Sequence, residues 1–335
     1  MTLDLPLLFA VVVAFGVAMY VVMDGFDLGL GVLFTFAPGD ADRDAMMNSI
    51  APIWDGNETW LVLGGTLLIG AFPVAYATLL PAFYVPLMVM LFALIFRGIA
   101  FEFRFRAQRY RFFWDWAFAG GSALAGFCQG LVLGGFINGV PVAGERFAGD
   151  AGSFISGFAV VSGLGVVAGY ALLGATWLIM KTAGTTGEFG RRAARPALLV
   201  TLAFIAVISL WTPLSHPQIA QRWFSLPNLL FLWPVPFVTA LVAWAIWRSI
   251  RGTHDALAFV FSIALFLLAF LGLGISLFPY AVPWQVTIWQ AASSTPTLEF
   301  LGVGVLIILP IIFGYLGYAH WIFRGKVRAG EGYGH

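Results

Sequence analysis

The amino-acid sequence predicts an all-α, polytopic membrane protein with nine transmembrane helices. Three observations carry that expectation. First, 61% of the 335 residues are hydrophobic and only 10% are charged, where soluble domains carry about 25%. Second, nine apolar runs reach the roughly 20 residues needed to cross a bilayer. Their approximate bounds are 6–36, 57–78, 80–104, 114–138, 154–181, 194–214, 228–250, 256–280 and 298–323. Third, the basic residues alternate in number from one connection to the next. With the N-terminus outside, the inner segments hold Arg43, Arg104, Arg106, Arg109, Arg111, Lys181, Arg191, Arg192, Arg195, Arg248, Arg251, Arg324, Lys326 and Arg328, which is 14 of the 17. The outer segments hold Arg146 and Arg222, and Arg97 lies within the third run. The excess of Lys and Arg on the inner side therefore predicts the N-terminus outside and the C-terminus in the cytoplasm.

Taken in order, the first run is longer than one crossing requires. It lacks a basic leader and a small-residue cleavage site, so it reads as a retained helix rather than a signal peptide. The longest connections, 37–56, 139–153, 182–193, 215–227 and 281–297, leave no room for a soluble domain. Residues 1–323 are thus expected to form a single transmembrane domain, followed by a Gly-rich, charged and disordered cytoplasmic tail over 324–335. The fourth run carries Gly126, Gly130 and Gly134, and the fifth Gly165 and Gly169. Small residues at this spacing let helices approach closely, here within the chain. The single cysteine, Cys128, excludes an internal disulfide and reads as a small buried hydrophobe. The net charge of +1 says nothing about partners, and the absence of a basic stripe among solvent-facing aromatics gives nucleic-acid binding no support.

The residues that carry chemistry are acids placed where lipid would penalise them. Asp24 and Asp27 interrupt the first run at a spacing that puts both on one helix face, flanked by Gly25 and Gly29. An ionised Asp at bilayer depth costs about 2.5–3.5 kcal/mol on the mildest scale, so this face must meet protein or water. Asp55 and Glu58 precede the second run at the spacing of a capping box. Either Asp55 caps that helix while Glu58 complements its dipole, or both lie near Asp24 and Asp27 and extend them into a relay of four acids. Arg97 either snorkels to the inner face or pairs with an intramembrane acid, with Asp24 and Asp27 as the candidates and Glu102 a further ion-pair candidate nearby. Trp114-Asp115-Trp116 and Glu299 open the fourth and ninth runs and read as interfacial anchors. His216, His254, His320 and His335 all avoid the centres of the runs. Haem iron in a membrane needs axial His or Met at depth. The methionines Met19, Met23, Met88, Met90 and Met180 read as core. The chain is therefore expected to hold no metal and to bind no haem by itself, and no nucleotide-binding or thiol motif is present.

Together these motifs resemble subunit II of the cytochrome bd-type quinol oxidases, a group that includes the cyanide-insensitive branch. The resemblance rests on Asp24-Gly25-Phe26-Asp27-x-Gly29, the run Asn48 to Trp60, Phe83-Tyr84-Val85, Phe96-Arg97-Gly98-x-x-Phe101-Glu102-Phe103-Arg104, Trp114-Asp115-Trp116 and Ser276-Leu277-Phe278-Pro279. It covers nearly the whole chain. It implies two four-helix bundles plus one peripheral helix, in the plasma (inner) membrane of a bacterium. It also implies a heterodimer with a subunit I that carries haems b and haem d, oxidises quinol and reduces oxygen to water. Membrane lipid and quinone are implied as further partners, with a small accessory subunit left open. By the same resemblance, acids at the positions of Asp24 and Asp55 line a proton path from the cytoplasm. Asp27, Glu58, Arg97 and Glu102 sit in matched motifs. Gln290 departs from the pattern, standing where an acid is expected. The alternative reading is a secondary transporter with Asp24 and Asp27 as ion ligands.

Overall fold

The computed structural model describes residues 4–107, 109–144 and 146–327. Helix α1 (Leu5–Phe34) is capped by Asp4, whose carboxylate accepts the Leu7 N–H at 3.1 Å. At about 1.5 Å per residue it runs roughly 45 Å, longer than the hydrocarbon core. Helix α2 (Asp40–Ile50) follows Gly39, with Asp40 and Asp42 in its first turn, where the helix dipole favours negative charge. Helix α3 (Trp54–Ala71) ends at Phe72, because Pro73 restricts that residue and opens α4 (Pro73–Ala82) at a new angle. Helices α5 (Tyr84–Arg106) and α6 (Arg111–Asn138) come next, then a hairpin of β1 (Val142–Ala143) and β2 (Arg146–Phe147). Ser156 caps α7 (Gly157–Lys181), its hydroxyl accepting the Ala159 N–H at 3.0 Å. Helices α8 (Gly184–Ser215), α9 (Pro217–Phe224), α10 (Asn228–Leu232), α11 (Pro234–Ser249) and α12 (Asp255–Leu277) complete the second half. A second hairpin, β3 (Tyr280–Val282) with β4 (Val286–Thr287), leads through the short α13 (Ile288–Ala291) to α14 (Thr295–Ile322).

Helices α1, α3, α5 and α6 pack as one group and α7, α8, α11 and α12 as a second. The two meet where α1 and α6 lie against α7, and α14 rides outside against α3 and α1. The seam between the groups is set by glycine. A Cβ on Gly29 would stand 1.6 Å from the Tyr170 carbonyl oxygen, and one on Gly174 2.3 Å from the Gly29 backbone. Gly130 and Gly134 similarly receive Gly163 and Ala159. The small-residue stripe of α6 is spent on packing within the chain.

Among the described residues, eight helices are long and apolar enough to cross a membrane. The expected run 57–78 is the one outside that set. It is divided between α3, 18 residues long with Asp55, Asn57 and Glu58 near its start, and the beginning of α4. Three connections expected as loops are largely helical: α2 fills 37–56, the first turns of α8 fill 182–193, and α9 fills 215–227. Their polar and charged residues hide them from a search for long apolar runs, although the second half of α2, from Ala45 to Ile50, is buried throughout. The tail expected from residue 324 is held over its first residues. The Val327 N–H donates to the Lys181 carbonyl at 2.8 Å, and Lys326 pairs with Asp255. Residues 328–335, with Arg328 and His335, lie outside the described residues. Gln290 closes a capping box with Thr287 on α13.

Candidate functional site

The acids of α1 turn away from lipid. Asp24 and Asp27 are 1% and 0% exposed, and between them Gly25 and, one turn on, Gly29 bring α7 close. From α5 the fully buried Arg97 enters the same space, with its guanidinium near the rings of Trp54, Phe101 and Phe118. Its Nη1 lies 3.9 Å from Asp24 Oδ1, and its Nη2 lies 3.9 Å from Asp27 Oδ2. Those separations give charge attraction without a direct hydrogen bond. The bond Arg97 does make is from Nη1 to Glu58 Oε1, at 3.2 Å. Asn57, on the adjoining position of α3, donates from Nδ2 to Asp27 Oδ2 at 2.8 Å. Both oxygens of Asp24, Oδ1 of Asp27 and Nε of Arg97 have no hydrogen-bond partner among the described residues. Three carboxylates thus share one guanidinium, with acceptor atoms left free.

The other two predicted residues lie apart. Asp55 is exposed in the first turn of α3. It does not cap the helix, since Ile53 holds the cap position and makes no side-chain bond. It remains within electrostatic reach of Arg97 and Glu58. Glu102 is 71% exposed and faces Arg106 at 3.8 Å, so it is not a partner of Arg97. On α5 it falls five residues from Arg97, about 140° around the helix, which carries it to the opposite side. Glu58 is intermediate: its side chain is 30% exposed, which makes it the edge of the cluster toward the outside of the bundle.

A second buried charge network was hidden in the sequence. Arg104, fully buried, donates to Asp115 and to Asp44, and Arg111 also donates to Asp44. Arg43 joins Asp40 at 3.0 Å and Asp115 at 3.5 Å. Burial alone would raise the pKa of Asp44, but the hydrogen bonds from Arg111 and Arg104 outweigh it and hold the carboxyl below its ordinary range. The network ties α2 to α5 and α6. Asp115 is therefore a buried partner rather than an interfacial anchor. Asn57 was likewise missed; its signal was a lone amide beside Glu58 in a segment about to become apolar.

The described histidines stand at helix ends. His216 links α8 to α9, and burial holds its imidazole below the usual range. His254 precedes α12, and His320 Nδ1 lies 2.9 Å from the Leu316 carbonyl near the end of α14. These positions do not fit an axially ligated haem at bilayer depth. No group of three or more His, Cys, Asp or Glu side chains forms a metal-holding arrangement among the described residues.

Comparison with known proteins places the chain. The family model described as cytochrome bd terminal oxidase subunit II matches residues 5–323. Cytochrome bd-I ubiquinol oxidase subunit 2 of Escherichia coli is 30% identical over 345 residues, covering 92% of this chain and 91% of the relative. Cytochrome bd ubiquinol oxidase subunit 2 of Bacillus subtilis is 26% identical over 319 residues, covering 92% and 93%. In fold, the chain is similar to one in the structure of bd oxidase from Geobacillus thermodenitrificans, with a TM-score of 0.77 at 20% identity over 96% of this chain and 99% of that one.

Proposed function

The chain belongs to the cytochrome bd terminal oxidase subunit II family, and from that premise we propose that it supplies a cytoplasmic proton-uptake path to its partner. As a member of the family it is a membrane-embedded subunit of a quinol oxidase complex that also contains a subunit I. Its eight long apolar helices accord with the inner membrane of a bacterium.

In the proposed reading the complex is a heterodimer. Subunit I carries haems b and haem d, oxidises quinol and reduces oxygen to water. The present chain spans the membrane nine times as one domain, counting α3 and α4 together, with its N-terminus outside. Oxygen reduction consumes protons, and those protons must cross a dry interior. Asp55 receives them at the exposed start of α3, Glu58 bridges the rim, and Asp24 and Asp27 carry them inward beside Arg97. The observation that carries this reading is the gathering of two buried carboxylates and the half-buried Glu58 around one guanidinium. One positive charge compensates one of three negative ones, and bound protons lower the remaining negative charge, which burial penalises.

The test is oxygen consumption by the assembled complex. Asp24→Asn and Asp55→Asn should each slow turnover at least tenfold while the haem spectrum stays intact. Full turnover with full haem in both variants would remove the proton-path assignment. A stable, colourless, lone chain that moves solute would instead favour the secondary transporter.

A further inference from the structure

Outward of the acid cluster, three polar side chains meet in otherwise apolar surroundings. Tyr20 lies one turn before Asp24 on α1, Gln129 is the sole amide in the apolar run of α6 between Ser122 and Asn138, and Tyr170 stands halfway along α7. Tyr20 and Tyr170 are 6% and 1% exposed. The Gln129 Nε2 donates to the Tyr20 hydroxyl oxygen at 2.7 Å, and the Tyr170 hydroxyl donates to the Gln129 Oε1. Of the two tyrosine hydroxyls, that of Tyr170 donates to Gln129, and among the described residues that of Tyr20 has no acceptor at hydrogen-bond length. Asp24 follows Tyr20 by four residues on the same face of α1, and both of its oxygens are buried acceptors without a hydrogen-bond partner among the described residues.

In the structure the amide oxygen of Gln129 faces the Tyr170 hydroxyl and its amide nitrogen faces Tyr20. A hydroxyl that accepts from an amide N–H keeps its own proton on the remaining side. The Tyr170 ring is in turn fixed, because it fills the space that a Cβ on Gly25 or Gly126 would occupy, at 2.7 Å and 3.1 Å. The three glycine-lined helices thus hold the amide in one orientation. A buried network of this kind survives at bilayer depth only if its bonds are made.

We infer that Tyr20 is a positioning residue for Asp24: Gln129, oriented by Tyr170, occupies the acceptor side of the Tyr20 hydroxyl and turns its proton toward the Asp24 carboxylate. The inference rests on the reading of Asp24 as a proton carrier. The triad gives that carboxylate one fixed donor on its outward side, while Arg97 attracts it from the other helix. Removing the donor changes how readily Asp24 takes and gives a proton without altering the path around it.

The test is a double-mutant cycle on the assembled complex, read as oxygen consumption against pH. Tyr20→Phe keeps the ring and should slow turnover at least threefold and displace the pH profile by about half a unit or more, the size of one lost hydrogen bond. Tyr170→Phe and Gln129→Leu should displace it in the same direction and by less. In the Asp24→Asn background none of the three should change rate or profile further. Thr201→Val, which removes a buried hydroxyl bonded only within α8, serves as control and should superpose on the parent profile. A Tyr20→Phe profile that superposes on the parent, or an effect that persists undiminished beside Asp24→Asn, overturns the inference. Should Tyr20→Phe fail to assemble, the same outcomes are read from Tyr170→Phe. Full turnover in Asp24→Asn alone would instead sink the proton-path reading, and the cycle separates the two.

Discussion

Arg97 and Arg104 sit seven residues apart on α5, both fully buried, and they do opposite things. Arg104 donates to two carboxylates at hydrogen-bond range, so its charge is matched. Arg97 makes one such bond and holds two further carboxylates at 3.9 Å. A matched network stabilises, and an unmatched one leaves room for protons. Removing one partner of a buried pair costs about 3–5 kcal/mol, because the other charge stays behind. Asp115→Asn should therefore lower the thermal midpoint of the complex by several degrees, measured by calorimetry. The sign of its pH dependence follows from Asp44. Its folded-state pKa is depressed, so its contribution is complete above the ordinary carboxylate range and is lost as pH falls through the lowered value. Hydrogen exchange of the α2 amides should accelerate only at acid pH, and Asp44→Asn should abolish that acid step.

At the scale of elements, backbone contact decides how α1 meets α7. The Gly25 and Gly29 pair was legible in the sequence as a close-approach face, and the Gly126 to Gly134 stripe as another. Their partners were not, because glycine has no side chain to announce what it touches. Gly29→Ala should drive the helices apart, since its Cβ meets a carbonyl oxygen rather than a flexible side chain. Expected is loss of assembled, haem-bearing complex from the membrane by optical spectrum, with Gly65→Ala, whose Cβ meets open space, as the unaffected control. The helices inside expected connections, α2 and α9, escaped the sequence reading because they are short and rich in polar residues. A hydropathy argument sees spans and is blind to helices that lie along one face of a bundle.

For the whole molecule, the segregation of basic residues predicts a topology that labelling can check. In a Cys128→Ser background, Ala151→Cys in the outer connection should react with a membrane-impermeant maleimide applied from outside. Gly252→Cys, between α11 and α12, should react only after the membrane is opened. The reverse pattern would invert the orientation and with it the side from which protons enter. The peripheral place of α14, packed chiefly against α3 and α1, leaves most of its surface exposed.

What the sequence by itself determined is what summed composition and spacing can carry: a helical membrane protein, the family, and the presence of acids that lipid would not tolerate. Hydrophobic burial and the cost of intramembrane charge act residue by residue, so they are readable along a line. Only the tertiary structure decided which acid meets which arginine. Arg97 chose Asp24, Asp27 and Glu58 over the nearer Glu102, and Tyr20 was joined to Gln129 and Tyr170 across three helices. Those pairings depend on helix rotation and crossing distance, which the glycine seams set through contacts far apart in the chain.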